Sequence, residues 1–214
     1  MAIKAVIFDI DGTLSPTISW DYLTMRIGGS LEENAAAFAD WSTERITESV
    51  LRQRLIANWT RRAPPLKVTF RSILEEIALH DDAPAAVAYL RNKGYRIAAI
   101  TGSFDIYADI VGEKLGIADR YALTTLIWDA AGRLTDIETN YDGRAQKYIR
   151  FMAFCERYGL APAECVAVGD SSNDMELFRV TKRGIAVQTE LEAKELEAIA
   201  WKKIRRLKEL TAIL

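Results

Sequence analysis

The first dozen residues constrain this chain most. Ile3 to Ile10 (IKAVIFDI) is largely apolar and rich in β-branched residues, without regular alternation. Such a run reads as a strand buried on both faces, the kind that parallel sheets contain. It closes on Asp9-Ile10-Asp11-Gly12-Thr13, a turn. Residues i and i+2 of a strand share a face, so Asp9 and Asp11 are expected to point the same way. They would do so at the carboxyl end of a buried strand, where open α/β sheets bind ligands. Like charges 4 Å apart repel by about 4 kcal/mol at an effective dielectric of about 20. A fold keeps such a pair for a cation or for proton transfer. An acidic turn that merely caps a helix is the plainer reading of the same five residues.

Further runs repeat the first. Arg96–Thr101 and Cys165–Gly169 read as buried strands, and Gly184–Val187 as a shorter one. Helical stretches lie between them: Asp82–Lys93 before Gly94, Phe104–Leu115 before Gly116, and Arg144–Tyr158 before Gly159. Each glycine is a good residue to follow a helix. Strands alternating with helices predict an α/β protein: a Rossmann-like core with a central parallel sheet flanked by helices. Tyr121–Thr135 departs from this pattern and reads as a β-hairpin around Asp129-Ala130-Ala131-Gly132. The larger departure is residues 16–80, which lack a strong strand candidate and carry Val50, Leu51, Leu55 and Trp59 at helical spacing. The chain has 214 residues, against a norm of about 150 per domain. A helical domain of residues 16–80, inserted after the first strand of a core made of 1–15 and 81–214, accounts for the excess. Trp20, Trp41 and Trp59 fall in it, either as its core or with one of them lining a substrate pocket.

Three more fragments carry chemistry with Asp9 and Asp11. Thr101-Gly102-Ser103 ends the second strand, and a hydroxyl beside freed backbone N–H groups suits an oxyanion. Lys147 lies on the helix beginning near Arg144 and gains weight only from its company. Gly169-Asp170-Ser171-Ser172-Asn173-Asp174 again sets carboxylates after a buried strand, although Asp, Ser and Asn all favour helix starts.

In combination, DxDGT, TGS, a lysine and GDxxND resemble the haloacid dehalogenase superfamily. TGSFDIYADIVGEKLGI and AVGDSSNDMELF are similar to its phosphoserine phosphatase branch, which carries a helical cap after the first motif. Asp11 matches the phosphate-transferring members rather than the dehalogenases. The resemblance implies a Mg²⁺-dependent phosphatase for a small phosphorylated metabolite. Asp9 would be the nucleophile that forms an aspartyl-phosphate, and Asp11 the general acid and then base. Thr101 with the N–H groups of Gly102 and Ser103 would hold phosphate, with Asn173 beside it, and Lys147 would neutralise nucleophile and phosphate. Asp9, Asp170 and the backbone carbonyl of Asp11 would bind Mg²⁺, with Asp174 in support. Charge agrees with a cation: four carboxylates and a phosphate dianion outweigh one lysine. Oxygen-only ligation suits Mg²⁺.

The catalytic motifs transfer better than the substrate-reading ones. The branch has a cap Glu that reads the substrate amine; the matching place here falls at Ile18 or its neighbour Ser19, neither of which can pair with an ammonium. A cap Arg pairs with the substrate carboxylate, and Arg54 matches it, with Arg52 beside it. Phosphoserine is the named candidate substrate. A phosphotransferase using the same residues and a non-catalytic phospho-ligand binder are the alternatives.

Composition removes other classes. Lys plus Arg is 28 against 30 for Asp plus Glu, a formal charge of −2, which argues against a nucleic-acid partner. Trp201–Leu210 (WKKIRRLKEL) is basic, but Glu190, Glu192, Glu195 and Glu197 precede it, and Ile204, Leu207 and Leu210 predict a terminal helix packed on the core. No run is long and apolar enough for a membrane. Cys155 and Cys165 read as buried packing thiols of a cytoplasmic protein. A homodimer is the assembly to test. His80 is the only histidine and receives no chemistry; Arg61 and Arg62 are expected to be solvated.

Overall fold

The computed structural model describes residues 2–61, 64–139, 143–189 and 193–214. Its strands are β1 (Ala5–Phe8), β2 (Arg96–Phe104), β3 (Asp119–Trp128), β4 (Leu134–Thr139), β5 (Cys165–Gly169), β6 (Gly184–Val187) and β7 (Lys202–Ile204). They form one seven-stranded sheet in the order β4-β3-β2-β1-β5-β6-β7, parallel except where β4 returns antiparallel on β3. The chain runs outward from β1 on one side, then restarts at β5 on the other. The β1/β5 junction is therefore the switch point, where a crevice opens at the carboxyl ends of the strands. Asp9 and Asp170 each directly follow one of these two strands.

Side-chain alternation gives the sheet two apolar faces. Val6 and Phe8 of β1, with Ile97 and Ala99 of β2, enter one buried cluster; Ala5, Ile7, Ala98 and Ile100 enter the other. The second cluster lies against α7 (Gly143–Tyr158) and α8 (Met175–Thr181), through Phe151, Phe154, Leu177 and Phe178. The first lies against α5 (Ala83–Asn92) and α6 (Asp105–Leu115).

Residues 16–80 form four helices, α1 (Ser19–Arg26), α2 (Leu31–Ser42), α3 (Glu48–Thr60) and α4 (Lys67–Glu75). Their buried Leu23, Leu51, Leu55, Trp59 and Phe70 join the same apolar cluster as Val6 and Phe8. The insert thus shares its core with one face of the sheet. It enters and leaves through a narrow neck, where Ser15 Oγ donates to the Ala78 carbonyl (3.0 Å) and His80 N–H to the Leu14 carbonyl (2.9 Å).

Trp59 is buried as core, 1% exposed. Trp20 is half-buried and stacks on Phe104, with ring centroids 4.4 Å apart. A neutral polar network also lies inside the insert. Asn58 Nδ2 donates to Asn34 Oδ1, Asn34 Nδ2 donates to Thr24 Oγ1, and Trp59 Nε1 donates to the same Thr24 oxygen, all at 2.8–2.9 Å. Thr24 in turn donates to the Trp20 carbonyl (2.7 Å).

The C-terminal segment corrects the single-helix expectation. Lys202–Ile204 is a strand, parallel to β6, followed by the 3₁₀ turn Leu207–Glu209 and the short helix α10 (Leu210–Ile213). Ile204, Leu207 and Leu210 are buried as expected. The exposed edge of β6 offers its backbone to this segment: Trp201 N–H donates to the Gly184 carbonyl and Gln188 N–H to the Ile204 carbonyl, both at 2.8 Å. Lys203 pairs with Glu197 (2.8 Å), whereas Glu190, Glu192 and Arg62 lie outside the described residues. No helix among the described residues is long and apolar enough to cross a membrane.

Candidate active site

Strand β1 stops at Phe8, earlier than the sequence pattern suggests. From there the Ile10 carbonyl accepts N–H bonds from Thr13, Leu14 and Ser15, so residues 10–15 fold into a tight turn. Gly12 is required in it. Its φ is +75°, and a Cβ there would lie 2.1 Å from Asp170 Oδ2. Only glycine lets the β1 turn approach the β5 turn this closely.

The turn delivers Asp9 to the switch point, 7% exposed. Its Oδ1 accepts the Ile10 N–H (2.7 Å) and its Oδ2 meets Lys147 Nζ (2.7 Å). Lys147 also reaches Asp174 Oδ1 at 2.8 Å and is itself 1% exposed. It sits on the apolar stripe of α7 with Phe151 and Phe154, so its burial follows from the helix face it occupies. Asp170 accepts from Thr13 Oγ1 (3.1 Å). Single carboxylate oxygens of Asp9, Asp170 and Asp174 lie within 4.8 Å of one another.

The Asp11 side chain stands apart from that trio. Its Oδ2 accepts from the Ser19 N–H (3.0 Å) and Ser19 Oγ (2.6 Å), while its Oδ1 is buried without a partner. The tight turn after Phe8 also removes the strand alternation that placed Asp9 and Asp11 on one face.

One lysine among four carboxylates leaves the site short of positive charge. Burial raises the Asp9 pKa to about 6, against the pull of Lys147. Burial lifts Asp11 to about 7, with the Ser19 hydrogen bond opposing it. Asp170 is lifted to about 8 by burial and by the charges of Asp9 and Asp174. Burial alone would lower the Lys147 pKa, but Asp174 and Asp9 more than offset it and hold the ammonium charged. A hard divalent cation fits this shortage: the donors are all oxygens, gathered closely, and favour the proton only because nothing else neutralises them.

The β2 end differs from a simple turn. The strand continues to Phe104, and its register against β3 shifts between Thr101 and Phe104. This bulge exposes Gly102, and a Cβ there would meet nothing within 4 Å. The Ser103 N–H is already given to Thr101 Oγ1 (3.1 Å), a correction to its expected use on an oxyanion. The Gly102 carbonyl accepts from Thr124 Oγ1 (3.2 Å) and Trp20 Nε1 (3.4 Å), so the insert steadies the bulge. Asn173 is exposed on the 3₁₀ turn Ser172–Asp174.

Arg54 is not brought here. Its Nη1 pairs with Asp40 Oδ2 (2.7 Å) between α3 and α2, because its position on α3 faces α2 rather than the sheet. Arg52 instead reaches Asp136 Oδ2 and the Ile137 carbonyl of β4, both at 3.3 Å. Ile18, 38% exposed, helps line a cavity of about 630 Å³ with Gly12, Pro16, His80, Asp170 and Arg205. That volume suits a small metabolite. Ser19 and Trp20, which stood out in the sequence only as the neighbour of Ile18 and as one of three insert tryptophans, are parts of the site.

The haloacid dehalogenase-like hydrolase family matches the chain over residues 3–180. A phosphoserine phosphatase of Methanocaldococcus jannaschii is 27% identical over 185 residues, covering 86% of this chain and 84% of that protein. One of Halobacterium salinarum is 28% identical, covering 85% and 84%. A substrate-bound phosphoserine phosphatase complex superposes with a TM-score of 0.74 at 25% identity, over 100% of this chain and 99% of that one. The chain belongs to the haloacid dehalogenase-like hydrolase family, and in sequence and fold it is similar to that family's phosphoserine phosphatases.

Proposed function

We propose that this protein is a Mg²⁺-dependent phosphomonoester hydrolase that works through an aspartyl-phosphate. One observation carries the reading: a buried lysine holds two carboxylates beside a third, at the switch point and next to the β2 bulge. Asp9, Asp170 and Asp174 would hold the metal, with the Asp11 backbone carbonyl. When bound, the cation supplies the positive charge that lets a phosphate dianion approach these carboxylates.

The chain's own groups then divide the work. An Asp9 carboxylate oxygen attacks phosphorus as the bond to the leaving oxygen breaks. Asp11, whose pKa burial lifts to about 7 so that its protonated form is well populated there, gives its proton to that oxygen and later takes one from the water that hydrolyses the phosphoaspartate. Lys147 fixes Asp9 and offsets phosphate charge. The Thr101 hydroxyl and the Gly102 N–H receive phosphate oxygens, and the insert covers the site and excludes water. The two buried thiols, Cys155 and Cys165, suit a reducing cytoplasm.

Phosphoserine is the candidate substrate that the relatives support. A second reading, an ester without the amine, is favoured by Ile18 at the amine-reading place and by Arg54 being held by Asp40. A phosphate-release screen over small phosphomonoesters tests both. EDTA should abolish turnover and Mg²⁺ restore it; full activity after metal removal would contradict the assignment. A kcat/KM for phosphoserine far below that of another ester would select the second reading.

A further inference from the structure

Helix α1 begins on Ile18, whose side chain has no oxygen to cap it. The cap comes from the core instead. Asp11 Oδ2 accepts both the backbone N–H and the hydroxyl of Ser19, at 3.0 and 2.6 Å, and Ser19 is fully buried. Two donors occupy both lone pairs of that oxygen. The other oxygen, Oδ1, is buried with no partner.

We propose that Ser19 is the positioning residue of the acid step: its two donors pin Asp11 by Oδ2 and leave Oδ1 as the oxygen that carries the proton. The inference rests on reading Asp11 as the acid. As the phosphorus–oxygen bond to the alcohol breaks and the bond to Asp9 forms, the Oδ1 proton passes to the leaving oxygen. Asp11 is left a carboxylate whose new charge is shared with Oδ2, where the Ser19 N–H and O–H meet it. Charge-assisted hydrogen bonds of this kind are the stronger ones, so Ser19 favours the product side of the transfer.

The direction of the hydrogen bonds supports this. Ser19 Oγ also touches Ser103 Oγ. Ser19 has one hydroxyl proton and gives it to Asp11, so Ser103 donates to Ser19. The chain Ser103 → Ser19 → Asp11 ties the bulge of β2, the first helix of the insert and the acid into one frame. Ser19 adjoins Ile18, so the segment that has lost an amine-reading carboxylate still holds the proton donor in place.

The test separates leaving groups. Alkyl esters need the acid; p-nitrophenyl phosphate, whose leaving phenolate is stable, needs it far less. With the alkyl phosphomonoester that the screen ranks first, Ser19→Ala should lower the single-turnover rate of alcohol release by about 10- to 100-fold, and that of p-nitrophenol release from p-nitrophenyl phosphate by less than about 3-fold. Ser19→Cys keeps the volume with a weak donor and should show the same selectivity should the alanine variant fold poorly. Ser19→Thr restores the hydroxyl and should recover most of the rate. Equal losses on the two esters, or no loss on the alkyl one, would overturn the proposal. Asp11→Asn, measured alongside in the same single-turnover release, where its later role as base does not enter, keeps the two readings apart. If it also falls equally on both esters, the acid assignment itself fails. If it is selective while Ser19→Ala is not, only the role of Ser19 is lost.

Discussion

Two of the places where the molecule buries polar groups treat them in opposite ways. Inside the insert, Thr24, Asn34, Asn58 and Trp59 are neutral, and none of their side-chain nitrogen or oxygen atoms is left buried and unpartnered. At the sheet's carboxyl edge the groups are charged, the carboxylates outnumber the lysine, and one Asp11 oxygen is unpartnered. A satisfied neutral network stabilises and specifies a shape. An unbalanced charged one costs stability and is poised for a ligand. The contrast says that changes in the core site should act on rate and metal binding, and changes in the insert's neutral network on stability.

The largest expected effect tests the core half. Asp9→Asn should reduce phosphate release by at least about 10⁴-fold while the melting temperature holds, the scale expected on losing a nucleophile. Retained turnover would place the nucleophile elsewhere. Next is Lys147→Met, which strands Asp9 and Asp174 without a counter-charge. It should cost about 3–5 kcal/mol in denaturant unfolding of the metal-free protein. A change below about 1 kcal/mol would mean that the pair is not held as described.

A third test uses pH. Asp9, Asp11 and Asp170 have folded pKa values of about 6, 7 and 8, above the ordinary 3.8. The folded state therefore binds more protons than the unfolded one between pH 4 and 8, and metal-free stability falls as pH rises through that window. A divalent cation binds the deprotonated site, so the Mg²⁺-induced rise in melting temperature should be small at pH 5 and large at pH 8. A shift independent of pH would sever the metal from these carboxylates.

The smaller effects belong to the insert. Asn58→Ala unpairs Asn34 Oδ1 and the Ser30 N–H, and removes one of the two hydrogen bonds that the Ser30 carbonyl accepts. It should cost about 1–3 kcal/mol of stability, with kcat on p-nitrophenyl phosphate little changed. A large kcat loss there would blur the contrast. Smallest is Arg54→Ala, which breaks a surface pair worth about 0–1 kcal/mol and should leave KM for phosphoserine unaltered. A strong rise in that KM would return Arg54 to the substrate.

The contrast also governs what could be read from the sequence. Local signals were legible. Gly94, Gly116 and Gly159 end their helices at positive φ, and the apolar runs at Ala5, Arg96, Cys165 and Gly184 all became strands. The carboxylate fragments were legible because each directly follows a buried strand. Long-range pairing was not. Ile204, Leu207 and Leu210 are spaced for a helix, yet the open edge of β6 recruits Lys202–Ile204 as a strand. Arg54 looked available until α2 brought Asp40 to it. Ser19 stood out only as the neighbour of Ile18, since its role depends on a turn of the core reaching the first residue of another helix.

The neck has a consequence for change over time. Ser15 and Ala78, and Leu14 and His80, are hydrogen-bonded neighbours, so a long excursion starts and ends at nearly one point. The entropic cost of closing such an excursion rises by only about 0.6 kcal/mol for each doubling of its length. Helices between these positions can be lengthened, shortened or exchanged without moving the register of Ala5 against Arg96 or Cys165. Selectivity can drift with the helices that follow α1, while Ser19 and Trp20 keep α1 itself tied to the chemistry.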